Sequence, residues 1–438
     1  RQYRVAHVSS HKKSAKTYLG RIRHAVNPPY PRRLLRVVIS ALVFALSFSL
    51  TGAFLVYHDL SSRVNNISTA KKLGRTPPDS YSGRPINILI IGSDSRAGEG
   101  NQALINDGAE GERSDTAMVM HISKDRSQVN VVSIPRDLIV DVPACEHKDG
   151  TQSRPQRVQF NWAYSIGGED GDRTSAVLCT WKTVEKLSGM RIDESVVVDF
   201  SGFASMIDAL GGINVYIPTE IHDQRNSGLE LEPGCVHFDG QQALGYARVR
   251  HGVQGSDGSD LQRIERQQAV MGIMMRTALQ KNMLTSLNQL YDFIGSGLSS
   301  LSISDGISSV SELAGLGWSL QSLQPENLRF VTLPVYPAPT DPNRVVLNDT
   351  EVRPIWEAFI TDTPLPVGIE VRDGNGKVYT IEAETPASPS ASSSSDSNTE
   401  SAEPTVNTSS PQNNGNNANS QEPNDDLVAL QRKCEAEK

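Results

Sequence analysis

Residues 37 to 57, VVISALVFALSFSLTGAFLVY, carry no charge over 21 positions. No other feature constrains the chain as strongly, because a helix of that length spans roughly 30 Å of hydrocarbon. A core helix of a soluble domain rarely runs so far without a polar face. The stretch reads as a transmembrane helix. A cleaved leader fits less well, since its apolar region is usually about 7 to 15 residues and no small-x-small site follows. The 36 residues before the span hold ten Lys or Arg and no Asp or Glu. Such charges favour the cytoplasmic side of a first span. The expected topology is a single-pass cell-membrane protein with a cytoplasmic N-terminus and everything beyond about residue 58 outside.

The whole chain has a formal net charge of -8 in spite of that basic arm, so the exported part is acidic. Together with the absence of an RNP motif, a zinc finger or a basic stripe interleaved with aromatics, this argues against a nucleic-acid partner. The four cysteines, Cys145, Cys179, Cys235 and Cys434, are too widely spaced for a C-x-x-C zinc or redox motif. An oxidising exterior permits disulfides, and four thiols allow three pairings. Cys145 with Cys179 is favoured, because the segment between them reads as one long loop ending in a helix. Free buried thiols are the alternative.

Along the chain, residues 1–36 form the basic arm, 37–57 the span and 58–84 a juxtamembrane linker ending in RTPPDSYSGRP. A globular domain follows over 85–382. INILIIG, TAMVMHI, VNVVSIP, SVVVDF, INVYIP, ALGYARVR and LRFVTLPV read as strands; helical patterns cover about 172–188, 202–210, 260–293 and 305–322. This mixture predicts an α/β fold, a layered α/β/α domain around a central mixed β-sheet. Residues 383–425 are rich in Ser, Asn, Pro and Glu and are expected to be disordered. Residues 426–438 suit a short helix. Removing the tail is expected to leave activity intact unless Cys434 or that helix belongs to the folded domain.

The chemistry concentrates in 243–268, ALGYARVRHGVQGSDGSDLQRIERQQ. Read as a strand, ALGYARVR sends Arg248 and Arg250 from one face as a fork. Asp260, Arg263 and Gln267 share one side of the helix that follows. Further pairs stand at strand ends: Asp94 with Arg96, Arg113 with Asp115, Arg136 with Asp137. A planar guanidinium donates two hydrogen bonds to paired oxygens, so an arginine cluster among glycine-rich loops suits phosphate. Carboxylates in the same set repel phosphate unless a hard cation intervenes. The reading is a pyrophosphate held by arginines, with Asp94 and Asp115 on Mg2+ or Mn2+. Met271, Ile273, Met274 and Met275 read first as a core stripe and second as the lining of a lipid groove.

Taken in order, ILIIGSDSR, ERSDTAMV, VVSIPRDL, FNWAYSIGG, VEKLSGMRIDESVVVDFSGFASMIDALGGINVYIP, LEPGCVHFDGQQALGYARVRH and DLQRIERQQAVM resemble the LytR-CpsA-Psr proteins of Gram-positive and actinobacterial cell envelopes. The resemblance covers about residues 85–360. It implies a phosphotransferase that takes a glycopolymer from a polyprenyl-pyrophosphate carrier and joins it through a phosphodiester to an acceptor. That acceptor is usually a muramic acid 6-hydroxyl of peptidoglycan and in some actinobacterial relatives a surface protein. By motif position, Asp94 and Asp115 are similar to the metal ligands. Arg113, Arg136, Arg248, Arg250, Arg263 and Gln267 match the pyrophosphate cradle, with Arg113, Arg136, Asp115 and Asp260 closest to catalysis. Asp260 and Asp115 are both candidate bases. The loop between Asp94 and Asp115 is longer than the pattern needs. Two other readings remain: a hydrolase of the lipid pyrophosphate, and a non-catalytic envelope regulator or lipid-carrier binding protein.

Overall fold

The computed structural model describes residues 30–63, 65–67, 69–75, 81–93, 114–224, 227–253, 256, 258–280, 301–307, 310–383 and 422–436. Helix α1 (Tyr30–Arg63) contains the apolar stretch, and its Leu34–Gly52 portion, mean hydropathy 2.1, is long and apolar enough to cross a membrane. The chain divides after Tyr57 into an N-terminal unit and a body.

In chain order the body carries β1 (Asn65–Ile67), α2 (Thr69–Lys72), β2 (Ile86–Ser93), β3 (Ser114–Ile122), β4 (Val129–Ile134), β5 (Ile139–Val142), β6 (Gln156–Gln159), α3 (Trp162–Gly167), α4 (Arg173–Ser188), β7 (Glu194–Asp199), α5 (Phe200–Ala209), β8 (Ile213–Ile217), β9 (Ile221–Asp223), β10 (Leu229–Leu231), β11 (Gly234–Phe238) and α6 (Gly240–Arg248). Then come α7 (Asp260–Gln280), β12 (Leu301–Ser304), α8 (Val310–Ser319), β13 (Leu328–Thr332), β14 (Val335–Ala338), β15 (Asp341–Leu347), α9 (Asp349–Thr361), β16 (Glu370–Asp373), β17 (Val378–Thr380) and α10 (Glu422–Ala436).

Nine strands form one mixed sheet in the order β1-β12-β7-β2-β3-β4-β13-β16-β17. Its two faces follow from the period of two in the strand sequences. On β2 and β4, Leu89, Ile91, Val132 and Ile134 face one core with Trp181 of α4 and Ile355 and Phe359 of α9. Ile86, Ile88, Val129 and Val131 face the other, where Met271 and Met275 of α7 pack. Helices cover both faces, which gives the expected α/β/α layering. β1 lies within the stretch read as linker and pairs in parallel with β12, so the sheet begins before residue 85.

Several helix boundaries are written locally. Asp172 caps α4 by accepting from the Ser175 N–H, and Gly189, at φ 69°, ends it. Asp170 accepts from the Lys148 N–H at 2.7 Å and ties the preceding loop to this cap. The same loop is fastened by the Cys145–Cys179 disulfide that the spacing favoured. A second disulfide joins Cys235 on β11 to Cys434 on α10, 199 residues apart. Helix α10 starts at Glu422, a little earlier than expected, while 384–421 of the stretch expected to be disordered lie outside the described residues.

At the sheet end where β3 finishes, His121 is buried, with Nδ1 2.7 Å from Asn87 Oδ1 and Nε2 3.1 Å from Asp362 Oδ1. Burial lowers its pKa, with Asp362 opposing. The folded value lies below the unfolded one of ~6.5, so stability is complete above that pH and lost as pH falls through it. Denaturation midpoints are expected to drop between about pH 7 and pH 5, and His121→Leu to shrink that drop. Glu194, whose carboxyl burial pushes up, titrates with the opposite sign, so the variant-to-wild-type difference is the measure.

Candidate active site

β2, β4 and β7 end, and β3 begins, at one edge of the sheet: Ser93 pairs with Ser114 and with Asp199, and Ala117 pairs with Ile134. Ligands of open α/β sheets sit outside such carboxyl ends. Asp115 stands near the start of β3, and Arg136 follows β4 across Pro135. Arg136 Nη1 donates to Asp115 Oδ1 at 2.7 Å.

Asp260 opens α7 and gathers three guanidinium groups on one oxygen. Its Oδ1 accepts from Arg250 Nη2 at 3.0 Å and from Arg263 Nε and Nη2 at 3.0 and 2.6 Å. Arg136 Nε stands 3.3 Å from the same atom. Arg263 also donates to the Asp115 carbonyl at 2.8 Å, which ties α7 to β3. The second oxygen of Asp260 is buried without a hydrogen bond among the described residues. Burial raises the Asp260 pKa, but Arg263, Arg136 and Arg250 outweigh it and hold the carboxyl below the usual carboxylate range. Such a carboxylate is a weak base and a strong anchor for arginines.

The sequence reading of ALGYARVR as a strand is corrected. Residues 240–248 are helical because Asp239 and Gln242 form a capping box, a D-x-x-Q signal that outweighs the strand pattern. Arg248 and Arg250 therefore do not leave one strand face. Arg248, the last residue of α6, lies 4.8 Å from the Phe200 ring centre, whereas Arg250, beyond the helix, pairs with Asp260. Arg266, assigned no role from sequence, donates to the Val249 carbonyl through Nε at 3.2 Å and Nη2 at 2.7 Å, which fixes the residue between those two arginines. Its position one turn beyond Arg263 was the available signal.

Beside the arginines runs an apolar cavity of about 210 Å³, lined by Met118, Phe203, Leu244, Met271, Met274 and Met275 and, on its polar wall, by Asp115, Arg248, Arg263 and Gln267. Ile273 instead belongs to the core between α7 and β8, as its burial shows. Gln267 Nε2 is 3.4 Å from the Ala247 carbonyl, and its Oε1 is buried without a hydrogen bond among the described residues. The structure thus brings together Asp115, Arg136, Arg250, Asp260 and Arg263, and sets Arg248 and Gln267 on the adjoining wall. Asp94, Arg96 and Arg113 lie outside the described residues. Among the described residues no group of three or more His, Cys, Asp or Glu converges.

A family model for LytR_cpsA_psr matches residues 54–357. The chain belongs to this family. LytR_cpsA_psr relatives include the probable cell wall biosynthesis protein LcpB of Corynebacterium glutamicum, 30% identical over 224 residues, covering 50% of this chain and 48% of that protein. The regulatory protein MsrR of Staphylococcus aureus is 33% identical over 187 residues, 42% of this chain and 47% of the relative. The chain thus spans about half the length of the curated relatives it matches. Among solved structures, protein gbs0355 of Streptococcus agalactiae superposes with a TM-score of 0.51 at 19% identity, covering 65% of this chain and 90% of that one, a likeness of fold.

Asp260→Asn removes the charge that holds three arginines. We expect kcat/KM to fall about 10²- to 10³-fold, as when a preorganised electrostatic group is lost. Stability is expected to drop by about 3–5 kcal/mol, because Arg263 is left buried without its counter-ion. The folded pKa lies below the unfolded ~3.9, so Asp260 stabilises above that pH and the contribution is lost as pH falls through the folded value. Paired melts at about pH 5 and pH 8 should therefore show the same difference between wild type and variant.

Proposed function

We propose that the protein transfers a glycopolymer from a polyprenyl-pyrophosphate carrier to a cell-wall acceptor, forming a phosphodiester outside the membrane to which α1 anchors it. The observation that carries this reading is the contact of two unlike surfaces at one sheet edge. A guanidinium cluster suits a pyrophosphate, and the methionine-rich cavity beside it suits an isoprenoid chain, which adaptable Met side chains can follow.

In this reading Arg136, Arg250 and Arg263 bind the pyrophosphate and stabilise the charge that develops as an acceptor hydroxyl attacks the phosphorus nearer the sugar. Arg248 and Gln267, on the polar wall of the cavity, contact the phosphate nearer the lipid. Asp260 orients the arginines, and Asp115 stands beside them, paired with Arg136. Asp115 with Asp94 would hold Mg2+, a hard cation that commonly uses one or two carboxylates and completes its shell with phosphate oxygens and water. When bound, the ion would offset the repulsion between phosphate and carboxylate.

The test incubates the whole chain in detergent with a polyprenyl-pyrophosphoryl oligosaccharide, Mg2+ and a peptidoglycan fragment, following products by mass spectrometry. A sugar-phosphate-acceptor adduct is expected. Free sugar phosphate alone would support the hydrolase, and intact donor bound without turnover would support the carrier or regulator.

A further inference from the structure

The turn that carries Arg136 has two flanks that share nothing with the lipid cavity. On one, the Asn161 N–H donates to the Arg136 carbonyl at 3.1 Å and the Phe160 N–H to the Leu138 carbonyl at 2.7 Å. The next residue, Trp162, opens α3 with 44% of its surface exposed, although Ala163 and Tyr164 behind it are buried. On the other flank the Val345 N–H donates to the Asp137 carbonyl at 3.3 Å, and Arg344 Nη1 donates to Asp137 Oδ1 at 3.4 Å. Tyr336, opposite Val346 in the β14–β15 hairpin, is 56% exposed, and its hydroxyl accepts from Asn348 Nδ2 at 2.8 Å.

Each of these rings, fixed by a short structured segment, presents a large apolar face to water. The turn that both segments bond carries Asp137, paired with Arg344, which together offer donors and an acceptor. This is the chemistry of a sugar ring: a C–H face to stack on an aromatic and equatorial hydroxyls for planar polar groups. None of these residues lines the lipid cavity. A carrier whose tail lies in the cavity and whose phosphates meet the arginines leaves this rim for the incoming partner.

We propose that Trp162, with Asp137 and Arg344 across the turn, forms the acceptor subsite and takes a sugar ring of a glycan acceptor. The proposal rests on the transferase reading, because only that reading requires a second substrate. Trp162 acts as a stacking platform and sets acceptor affinity, while donor binding is left to the arginines and the cavity.

The experiment uses the whole chain in detergent, wild type, Trp162→Ala and Trp162→Phe. Binding of a peptide-free N-acetylglucosamine–N-acetylmuramic acid tetrasaccharide is measured by saturation-transfer NMR, and binding of a polyprenyl pyrophosphate by calorimetry. Trp162→Ala is expected to weaken glycan binding, and raise the acceptor KM, about tenfold, the loss of one aromatic contact, with Trp162→Phe recovering most of it. Donor affinity and kcat at saturating acceptor stay unchanged. Equal glycan binding in wild type and Trp162→Ala, or a parallel loss of donor affinity, overturns the proposal. So does a wild type that binds a surface polypeptide acceptor and not the glycan. Trp162-dependent glycan binding without any transfer by wild type would sink the transferase reading and leave the subsite standing.

Discussion

Arg136→Ala is expected to lower transfer by roughly 10³-fold or more, with a small change in donor affinity, because a guanidinium that meets developing charge at a transferring phosphoryl group acts mainly in the transition state. The geometry explains why no neighbour substitutes for it. Arg136 is the residue that links the two carboxylates, donating to Asp115 through Nη1 and facing Asp260 through Nε. Burial lowers its pKa, but Asp115, Asp260 and Asp137 more than reverse this, so it stays charged at any working pH. Removing it lets Asp115 turn towards the phosphates as an uncompensated negative charge. Arg136→Lys keeps the charge but loses the fork, and recovery to within about tenfold of wild type would show that charge alone suffices. Steady-state kinetics for the three proteins, with a melt to confirm folding, decide the matter; an alanine variant within about threefold of wild type would remove Arg136 from the mechanism.

The second large effect is on stability. Ending the chain after residue 421 is expected to unfold the body or leave it markedly weakened, because Cys434 and the terminal helix belong to the folded domain. Helix α10 is held by a disulfide and by a polar network in which Gln431 Nε2 also donates to Glu435 Oε1 at 2.8 Å. The Cys235–Cys434 bond closes a loop of 199 residues, and disulfides closing long loops contribute typically about 2–4 kcal/mol. Arg276 of α7 is buried against Glu435, and a buried charge stripped of its partner costs about 3–5 kcal/mol. The Gln431 amide reads the edge of β8, accepting from the Tyr216 N–H at 2.7 Å and donating to the Asn214 carbonyl at 2.9 Å. Against a usual margin of about 5–15 kcal/mol the sum is large. Urea denaturation of the truncated chain, of Cys434→Ser and of Glu435→Gln tests it. If Glu435→Leu combined with Arg276→Met restores most of what Glu435→Gln loses, the penalty is an unpaired charge and not lost packing.

These contacts also bear on the site. α10 grips α7, which carries Asp260 and Arg263, and β11, which leads into α6 and Arg248. A loss of activity on truncation would therefore follow from loosened geometry at a distance.

Much of the architecture was legible from local pattern. The runs at 86–91, 117–122 and 129–134 became adjacent strands because their alternation exposes an apolar face to each layer. The helix at 173–188 was readable from its periodicity, with an aspartate before it and a glycine after. ALGYARVR was misread because alternating Leu, Tyr and Val satisfied a strand template over a few residues, where the two periods are hardly distinguishable. The deciding information lay outside the window, in Asp239 and Gln242.

The sequence by itself determined the apolar helix, the residues of both sheet faces and the arginine and aspartate types at the strand ends, since these depend on spacing and on neighbours a few positions away. Only the tertiary structure decided that three arginines meet one oxygen of Asp260, that Cys235 finds Cys434, and that Met271, Met274 and Met275 line a cavity while Ile273 is core. The physical reason is the same in each case. These contacts join elements far apart in the chain, and their directions are set by how α7 packs across the sheet, a long-range balance of burial and charge that no local period encodes.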